Sequence, residues 1–254
     1  MDREMVRRGL AVSGTSARRM IVSGAVEVGG IPRPRPATLI DRATPIKLTA
    51  APNRYVGRGG DKLAAALAAL KIDVSARRCL DVGAAVGGFT DCLLEHGAAS
   101  VVAVDVGYGQ LAWRLRADDR VLVVERCNFR HVDPRLLGAP FDLVVADVSF
   151  ISLVTLGRPL AAAGGPDARW LLLVKPQFEV GRSDVGRSGV VTSPALHAGA
   201  VAAVASGLQA HDLHAAAVVP SPITGQKGNR EFFLLLDRRG PTIGLRTIQE
   251  AVSP

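Results

Sequence analysis

A chain of 254 residues with 48% hydrophobic residues is long enough to bury a large core, in one large domain or in a small and a large one. Its apolar runs fall short of the roughly 18 residues that a membrane helix requires, and its charged N-terminus lacks the apolar core of a secretory signal. The three cysteines are scattered, without metal-ligand spacing and without the even number of a disulfide framework. We therefore expect a soluble cytoplasmic protein that contains no membrane segment and no metal site.

Positive charge is concentrated at the beginning of the chain. Residues 1–58 contain 11 Lys and Arg against 4 Asp and Glu, whereas the rest of the chain contains 20 against 19. A positive field confined to a small segment is typical of a protein with a polyanionic partner, most often nucleic acid. The alternative is a basic face that only keeps the protein soluble.

The first 50 residues predict a small α+β domain made of two helices and a hairpin. A helix within residues 1–11 precedes a second one at about 15–23, for which Ser13 provides the N-cap, and Val26 and Val28 then alternate ahead of two glycines. This arrangement resembles the αL RNA-binding domain, of the ribosomal-protein S-four type, that is also found in pseudouridine synthases and tyrosyl-tRNA synthetases. The resemblance implies RNA contacts from the basic residues of the two helices: Arg3, Arg7, Arg8, Arg18 and Arg19.

Residues 51–60 predict a short linker, because the sequence APNRYVGRGG contains a proline and three glycines. Residues 61–71 predict a strong helix from their alanine and leucine content. Lys62 lies in the first turn of that helix, where the helix dipole opposes a cation. Its side chain is either solvated or bound by an anionic partner, and solvation is the simpler expectation.

Residues 79–90, CLDVGAAVGGFT, predict a strand, a tight loop and the start of a helix. The GxxxGG spacing differs from the GxGxxG of dinucleotide-binding loops and disfavours a nicotinamide cofactor. S-adenosylmethionine suits the loop better, because its carboxylate can bind free amides at the helix start and its ammonium a strand-end acid. The residues expected to contact it here are Asp81, Gly83, Gly87, Gly88 and Phe89. A glycine-containing turn without a ligand is the alternative.

Beyond this loop, apolar runs alternate with helix-compatible segments, which predicts an α/β fold with a Rossmann-like, doubly wound parallel sheet. The predicted strands are residues 100–105, 121–125, 141–147, 170–175, 213–219 and 232–236, and a helix is predicted at 194–209. Asp105 lies about 20 residues beyond the glycine loop, where such folds place the carboxylate that binds a ribose diol. Asn128 follows the next strand and is a candidate to meet the adenine ring, although a turn asparagine is the ordinary explanation of such a residue.

Charged residues end two of the long apolar runs. Open parallel sheets hold their ligand and catalytic groups at the carboxyl ends of the strands, and Asp147 and Lys175 occupy two such ends. Burial of either charge at such a position without a partner would cost free energy. Residues 178–191 are rich in glycine and charge and predict a mobile loop beside the site. Glu231 precedes the last strand, a position at which charged residues are usually solvated, so by itself it carries little weight.

Six motifs resemble, in this order, the TlyA family of ribosomal-RNA 2′-O-methyltransferases, also named haemolysins, and the wider FtsJ-like methyltransferases. They are RGGDKL, LDVGAAVGGFT, VAVDVGYGQLAWRLR, VVADVSFISL, LVKPQFEVG and GNREFFLLL. The resemblance implies a methyltransferase domain at residues 61–254, S-adenosyl-L-methionine as cofactor and a catalytic tetrad of Lys62, Asp147, Lys175 and Glu231. It further implies cytidine in the ribosomal RNA of one or both subunits as the substrate, with sensitivity to capreomycin-type antibiotics as the consequence.

Two other classes of function remain open. One is an RNA-binding ribosome-assembly factor without catalysis, which has no physical need for two lysines and two acids around a cofactor cleft. The other is a membrane-damaging haemolysin, which the lack of a spanning segment and of a basic amphipathic helix disfavours. Within the enzyme hypothesis, Lys175 acts either as the base that removes the ribose hydroxyl proton or as a fixed ammonium that stabilises charge on the oxygen.

Overall fold

The computed structural model describes residues 1–22, 25–32, 35–48, 54–225 and 227–253. The chain divides into two compact units, Met1–Arg54 and Tyr55–Pro254. The boundary falls inside the linker predicted at residues 51–60, of which residues 51–53 lie outside the described part.

The first unit consists of two helices and a small antiparallel sheet. Its elements are α1 (Asp2–Arg7), α2 (Gly14–Val22), β1 (Val26–Val28), β2 (Ile31–Pro32) and β3 (Ile46–Leu48). Strand β1 is central and pairs antiparallel with both β2 and β3. The hydroxyl of Ser13 accepts a hydrogen bond from the Ser16 amide, as the predicted N-cap requires. A core that includes Met5, Ile21 and Val26 holds the helices on the sheet.

The second unit is a seven-stranded sheet covered by helices. Its elements are α3 (Arg58–Ala69), β4 (Arg78–Val82), α4 (Gly88–Glu95), β5 (Ser100–Val104), α5 (Trp113–Arg116), β6 (Val121–Val124), β7 (Phe141–Ala146), α6 (Gly157–Ala163), β8 (Gly164–Val174), α7 (Pro176–Glu179), α8 (Pro194–Gln209), β9 (His214–Pro220), β10 (Phe232–Asp237) and α9 (Leu245–Val252). Short 3₁₀ turns occur at Phe129–His131, Pro134–Leu137, Leu153–Leu156 and Arg182–Asp184.

The strand order is β6-β5-β4-β7-β8-β10-β9. The first five strands are parallel, whereas β10 runs antiparallel to both β8 and β9. The expectation of a wholly parallel sheet is therefore wrong at one edge. The connection between β9 and β10 contains no described helix, and a parallel pair needs a long crossover, so these neighbours form antiparallel.

Apolar residues of the strands alternate between two cores, one on each face of the sheet. Val144 and Trp170 lie in the core under α6 and α8, and the next residues along the same strands, Val145 and Leu171, lie in the core under α3 and α4. The indole nitrogen of Trp170 donates to the Leu160 carbonyl at 2.8 Å. Burial on both faces explains why these strands are continuous hydrophobic runs in the sequence.

The start of the second unit corrects the predicted linker. Helix α3 begins at Arg58, three residues before the expected Asp61, and the side chain of Tyr55 is buried. The Val56 amide donates to the Asp91 carboxylate on α4 at 2.7 Å. Residues 55–60 are therefore part of the second unit.

Candidate active site

A cavity of about 550 Å³ lies beyond the carboxyl ends of the central strands, within the second unit. Its walls come from the first turns of α3, the loops that follow β4, β7 and β8, and the segment that precedes β10. All four residues of the expected tetrad line it: Lys62, Asp147, Lys175 and Glu231. Segments that are far apart in sequence thus bring two cations and two anions into one cavity.

The first pair of charges is Lys62 and Glu231. The Lys62 ammonium lies 2.6 Å from the Glu231 carboxylate, and the two side chains are 10% and 3% exposed. Simple solvation of Lys62, the simpler expectation from sequence, is therefore wrong. Removing a carboxylate and an ammonium from water is costly unless each neutralises the other. This contact therefore permits both charges to be buried at the carboxyl end of the sheet.

The second pair is Lys175 and Asp147, at the ends of the adjacent parallel strands β8 and β7. The Lys175 ammonium lies 2.6 Å from the Asp147 carboxylate and donates to the Ser149 hydroxyl at 2.9 Å. The Asp147 side chain is 24% exposed, so this pair is more open to the cavity than the first. Ser149 was not predicted, although its place two residues after Asp147 in the same loop was a usable signal.

The glycine loop between β4 and α4 forms the floor of the cavity. Gly83, Gly88 and Phe89 line it, whereas Gly87 is the left-handed N-cap residue of α4, with φ of 97°. A Cβ atom on Gly83 would lie 2.5 Å from the Asp147 carbonyl oxygen, and one on Gly88 would lie 2.9 Å from the Gly60 amide nitrogen. These glycines are required because three backbone segments meet at the cavity.

Asp81 lies inside strand β4 and not at its end, contrary to the expectation of a strand-end acid. Its carboxylate is fully buried under the loop, outside the cavity lining, and accepts a hydrogen bond from the Thr90 hydroxyl at 2.6 Å. Its other oxygen has no hydrogen-bond partner among the described residues. Burial, reinforced by the nearby Asp147 charge, raises the pKa of Asp81 to about 7. Because the side chain is fully buried, this arrangement does not bring it to a ligand ammonium, and that contact stays a prediction.

Asp105 and Asn128 follow β5 and β6 and lie outside the cavity lining. The Asp105 carboxylate accepts hydrogen bonds from the amides of Ala85 at 2.8 Å and Gly107 at 2.6 Å, so it braces the glycine loop against the loop after β5. The Asn128 side chain accepts from the Arg130 amide at 3.1 Å, which is the turn contact named as the alternative to an adenine contact. Ligand contacts of both residues stay predictions.

Two phenylalanines stand at the rim of the cavity. Phe150 is 90% exposed, has φ of 66° and lies with its ring centre 5.2 Å from that of Phe178. A bulky residue rarely adopts this backbone region, and such strain clusters at functional sites. The loop is held by Glu179, whose carboxylate accepts from the Ser152 hydroxyl at 2.6 Å and from the Leu153 amide at 2.9 Å. Burial raises the pKa of Glu179.

Among the basic residues of the first unit, Arg8 is mainly a structural contact. Its guanidinium donates to the Glu4 carboxylate at 2.8 Å and to the carbonyls of Arg42 at 2.7 Å and Thr44 at 2.8 Å. Arg7 donates to the same carboxylate but is more exposed. The two guanidinium groups lower the pKa of Glu4 to about 2.

The other basic side chains of these helices are differently placed. Arg3 is exposed on α1, and Arg18 on α2 is 69% exposed while it pairs with Asp2 at 2.7 Å. The side chain of Arg19 lies outside the described part of the chain. Arg3, Arg7 and Arg18 thus present charge to solvent, and contact of these residues with RNA stays a prediction.

All three cysteines are thiols, and Cys79 and Cys92 are buried. Burial raises the pKa of the Cys79 thiol to about 12, so the reactive thiolate is disfavoured. Packing in the core accounts for the two buried cysteines.

The order of the strands, with the glycine loop and the cavity beyond the strand ends, resembles the fold of S-adenosylmethionine-dependent methyltransferases. The structure of such an enzyme from Mesorhizobium loti matches with a TM-score of 0.51 over 71% of this chain and 99% of its own, and at 16% identity it shows the fold alone. The model of the FtsJ-like methyltransferase family matches residues 55–238. The chain belongs to the FtsJ-like methyltransferase family, and the protein is an enzyme.

Two proteins of higher similarity match almost the whole chain and not only the sheet. The 16S/23S rRNA (cytidine-2′-O)-methyltransferase TlyA of Mycobacterium tuberculosis is 50% identical over 93% of this chain and 88% of its own. The structure of a Streptococcus thermophilus protein named as a candidate hemolysin matches with a TM-score of 0.79 and 36% identity, over 99% of this chain and 93% of its own. The expected TlyA-family resemblance is confirmed.

Proposed function

We propose that the enzyme transfers a methyl group from S-adenosyl-L-methionine to the ribose 2′-hydroxyl of cytidine in ribosomal RNA. The observation that carries the proposal is the pair of lysine–carboxylate contacts, Lys62–Glu231 and Lys175–Asp147, in one cavity beside the glycine loop. The activity for which the Mycobacterium tuberculosis relative is named supports the same substrate class.

The residues around the glycine loop fit S-adenosylmethionine. Gly83 and Gly88 let the glycine loop pack against the backbone of Asp147 and of Gly60, and both glycines line the cavity, where backbone groups can meet a ligand. Asp105 can accept ribose hydroxyls with lone pairs that its two amide contacts leave unused, and we propose Asn128 beside it for the adenine. Bound S-adenosylmethionine supplies an electrophilic methyl group on a sulfonium.

The protein supplies alignment and charge. A ribose hydroxyl is a weak nucleophile, so attack requires its oxygen in line with the methyl group and a group that takes its proton or stabilises the charge on the oxygen. Lys175 is the residue for this task, because its ammonium lies at the more open pair and is oriented by Asp147 and Ser149. We assign Lys62 and Glu231 to binding and orienting the ribose from the buried side.

The rim and the first unit fit an RNA substrate. Base recognition in RNA commonly uses stacking of an unstacked base on an aromatic side chain, and the exposed Phe150 beside Phe178 offers such a surface. The exposed cations of the first unit suit the phosphate backbone, which carries most of the affinity of such proteins. We propose Arg3, Arg7 and Arg18 for these contacts.

The direct test is transfer of tritium from labelled S-adenosylmethionine to each purified ribosomal subunit, followed by mapping of the labelled nucleotide. We expect label on one cytidine ribose in at least one subunit and none on RNA with a 2′-deoxy target. Label on the deoxy RNA would make a base atom the acceptor and overturn the 2′-O assignment. RNA binding without any label would favour the assembly-factor alternative.

The RNA-binding role of the first unit has its own test. Replacement of Arg3, Arg7 and Arg18 by glutamine should weaken binding to ribosomal RNA and reduce its logarithmic salt slope by about 0.9 for each phosphate that the variant no longer neutralises. Filter binding at several salt concentrations measures both. An unchanged slope would remove these residues from the interface.

Two further consequences separate the proposal from its competitors. If the methylation creates the capreomycin site, a strain that lacks the enzyme should resist the drug. The active enzyme should restore sensitivity, whereas the Lys175→Ala variant should not.

A haemolysin would have to make liposomes leak. No described helix is long and apolar enough to cross a membrane, and we expect no leakage.

A further inference from the structure

Asn229 lies outside the lysine–carboxylate pairs but is buried in the wall of the cavity, two residues before Glu231. Its side-chain oxygen accepts a hydrogen bond from the Val191 amide at 2.9 Å, and its side-chain nitrogen donates to the Gly189 carbonyl at 2.8 Å. Both partners belong to the loop after β8 that the sequence predicts to be mobile. One side chain thus joins two walls of the cavity.

The two partners explain why an asparagine occupies this position. They are an amide N–H and a carbonyl, so the side chain must present one acceptor and one donor at the same distance from its own backbone. Aspartate presents two acceptors when ionised, and alanine presents neither group. Because Asn229 is 2% exposed, a hydrogen bond left unmade at this position is costly.

The loop is held at the same point from its other side. The Val191 carbonyl accepts a hydrogen bond from the ring of His197 on α8 at 2.8 Å, so both polar groups of this residue's backbone are bound by buried side chains. Within the loop, the Gly189 amide donates to the Gly186 carbonyl at 2.7 Å, which closes a tight turn. The loop is thus a folded turn attached to the body of the enzyme near Val191.

The segment that carries Asn229 also carries the buried acid of the first pair. The Gly225 amide donates to the Asn229 carbonyl at 2.8 Å, and a Cβ atom on Gly225 would lie 2.5 Å from the Glu231 carboxylate. The position of Asn229 is therefore tied closely to that of Glu231. A shift of one is expected to shift the other.

We infer that Asn229 is a positioning residue for methyl transfer, which fixes the wall formed by Val185 and Gly189 against the segment that presents Glu231. This inference rests on the proposed function, since it assigns to that cavity a shape that is set before the RNA enters. Pre-set geometry matters here because alignment of the hydroxyl is a large part of the catalysis the chain supplies.

The test compares Asn229→Asp and Asn229→Ala with the wild type and with Asp73→Asn, a matched exchange of acid and amide in an exposed turn that precedes β4, at the strand end opposite the cavity. The single-turnover rate on ribosomal subunits, at saturating RNA and cofactor, should fall at least tenfold for both Asn229 variants. The dissociation constant for S-adenosylmethionine should stay within twofold, because the glycine loop is untouched. Asp73→Asn should match the wild type in both.

Limited trypsin digestion provides a readout that does not depend on activity. Arg182 and Arg187 are exposed on the loop, and release of the loop from Asn229 should speed cleavage after them by about tenfold. If the wild type methylates no ribosomal RNA, the proposed function fails while this digestion still tests the hydrogen bonds of Asn229. If Asn229→Ala does not fold, the isosteric Asn229→Asp carries the test.

Two results would overturn the inference. One is unchanged cleavage at both arginines in a variant that binds S-adenosylmethionine normally, which would mean that Asn229 does not hold the loop. The other is faster cleavage with an unchanged single-turnover rate, which would mean that the held loop does not position anything for the reaction.

Discussion

The two lysine–carboxylate pairs of the cavity are Lys62–Glu231, here called the buried corner, and Lys175–Asp147, the open corner. Both have a distance of 2.6 Å between nitrogen and oxygen, but their surroundings differ. Glu231 is 3% exposed and its partner is Lys62, whereas Asp147 is 24% exposed and Lys175 also donates to Ser149. The buried corner depends entirely on its pairing. The open corner retains other partners and is accessible to a substrate. Two ion pairs of equal length thus have different roles. The buried corner stabilises the fold and orients the substrate, and the open corner takes part in the reaction.

The largest expected effect concerns the buried corner. Glu231→Ala leaves the Lys62 ammonium buried without its counter-charge, and it should lower the free energy of unfolding by about 3–5 kcal/mol. Asp147→Ala should cost less, because Lys175 keeps its hydrogen bond to the Ser149 hydroxyl. Urea unfolding of both variants makes the comparison. Equal losses would erase the distinction between the corners.

A double variant sharpens the same point. Lys62→Met combined with Glu231→Leu removes both charges and should recover most of the stability lost in Glu231→Ala, since well-packed apolar residues often replace a buried ion pair without loss. Methyl transfer should not recover. Recovered transfer would remove this pair from the active site.

The next effect concerns the open corner. Lys175→Ala should lower the single-turnover rate by about 100-fold or more, the scale of a lost acid–base or oxyanion group, while binding of cofactor and RNA persists. Lys175→Arg keeps the charge but cannot act as a base near neutral pH. Substantial activity of the arginine variant would assign Lys175 as a fixed cation, and a loss as deep as that of alanine would assign it as the base.

A smaller effect is expected on the cofactor side. Asp105→Ala should cost about 1.5–3 kcal/mol of S-adenosylmethionine affinity, the scale of a charge-assisted hydrogen bond, with the fold retained. Calorimetry measures the affinity. Unchanged binding in a folded variant would limit Asp105 to its contacts with Ala85 and Gly107.

The last effect is spread over a range of pH and concerns Asp81, a buried acid with no cationic partner among the described residues. Its pKa is raised from 3.8 to about 7, so between these values the folded state binds more protons than the unfolded state. Stability from this group is therefore highest below about pH 4 and falls as pH rises to about 7, by at most about 1.4 kcal/mol per pH unit. Asp81→Asn still accepts from Thr90 but should lack this slope. Parallel stability curves for the two proteins between pH 4 and 7 would show that Asp81 does not titrate there.

Local pattern was sufficient for most of the framework. Helix α8 has the predicted bounds, 194–209, and β5 ends one residue before the predicted 105. The glycine loop and the residue types of both charged pairs are also visible in the sequence. Hydrophobic periodicity and glycine positions act through the backbone of neighbouring residues, so a single chain displays them directly.

Tertiary structure alone decided how those residues are used. Lys62 and Glu231 are 169 residues apart, and only the packing of α3 beside the segment before β10 turns two ordinary surface charges into a buried pair. The burial of Asp81 beneath its loop and the two hydrogen bonds of Asn229 depend likewise on which segments meet. Desolvation and hydrogen-bond pairing are properties of such meetings, and no local pattern encodes them.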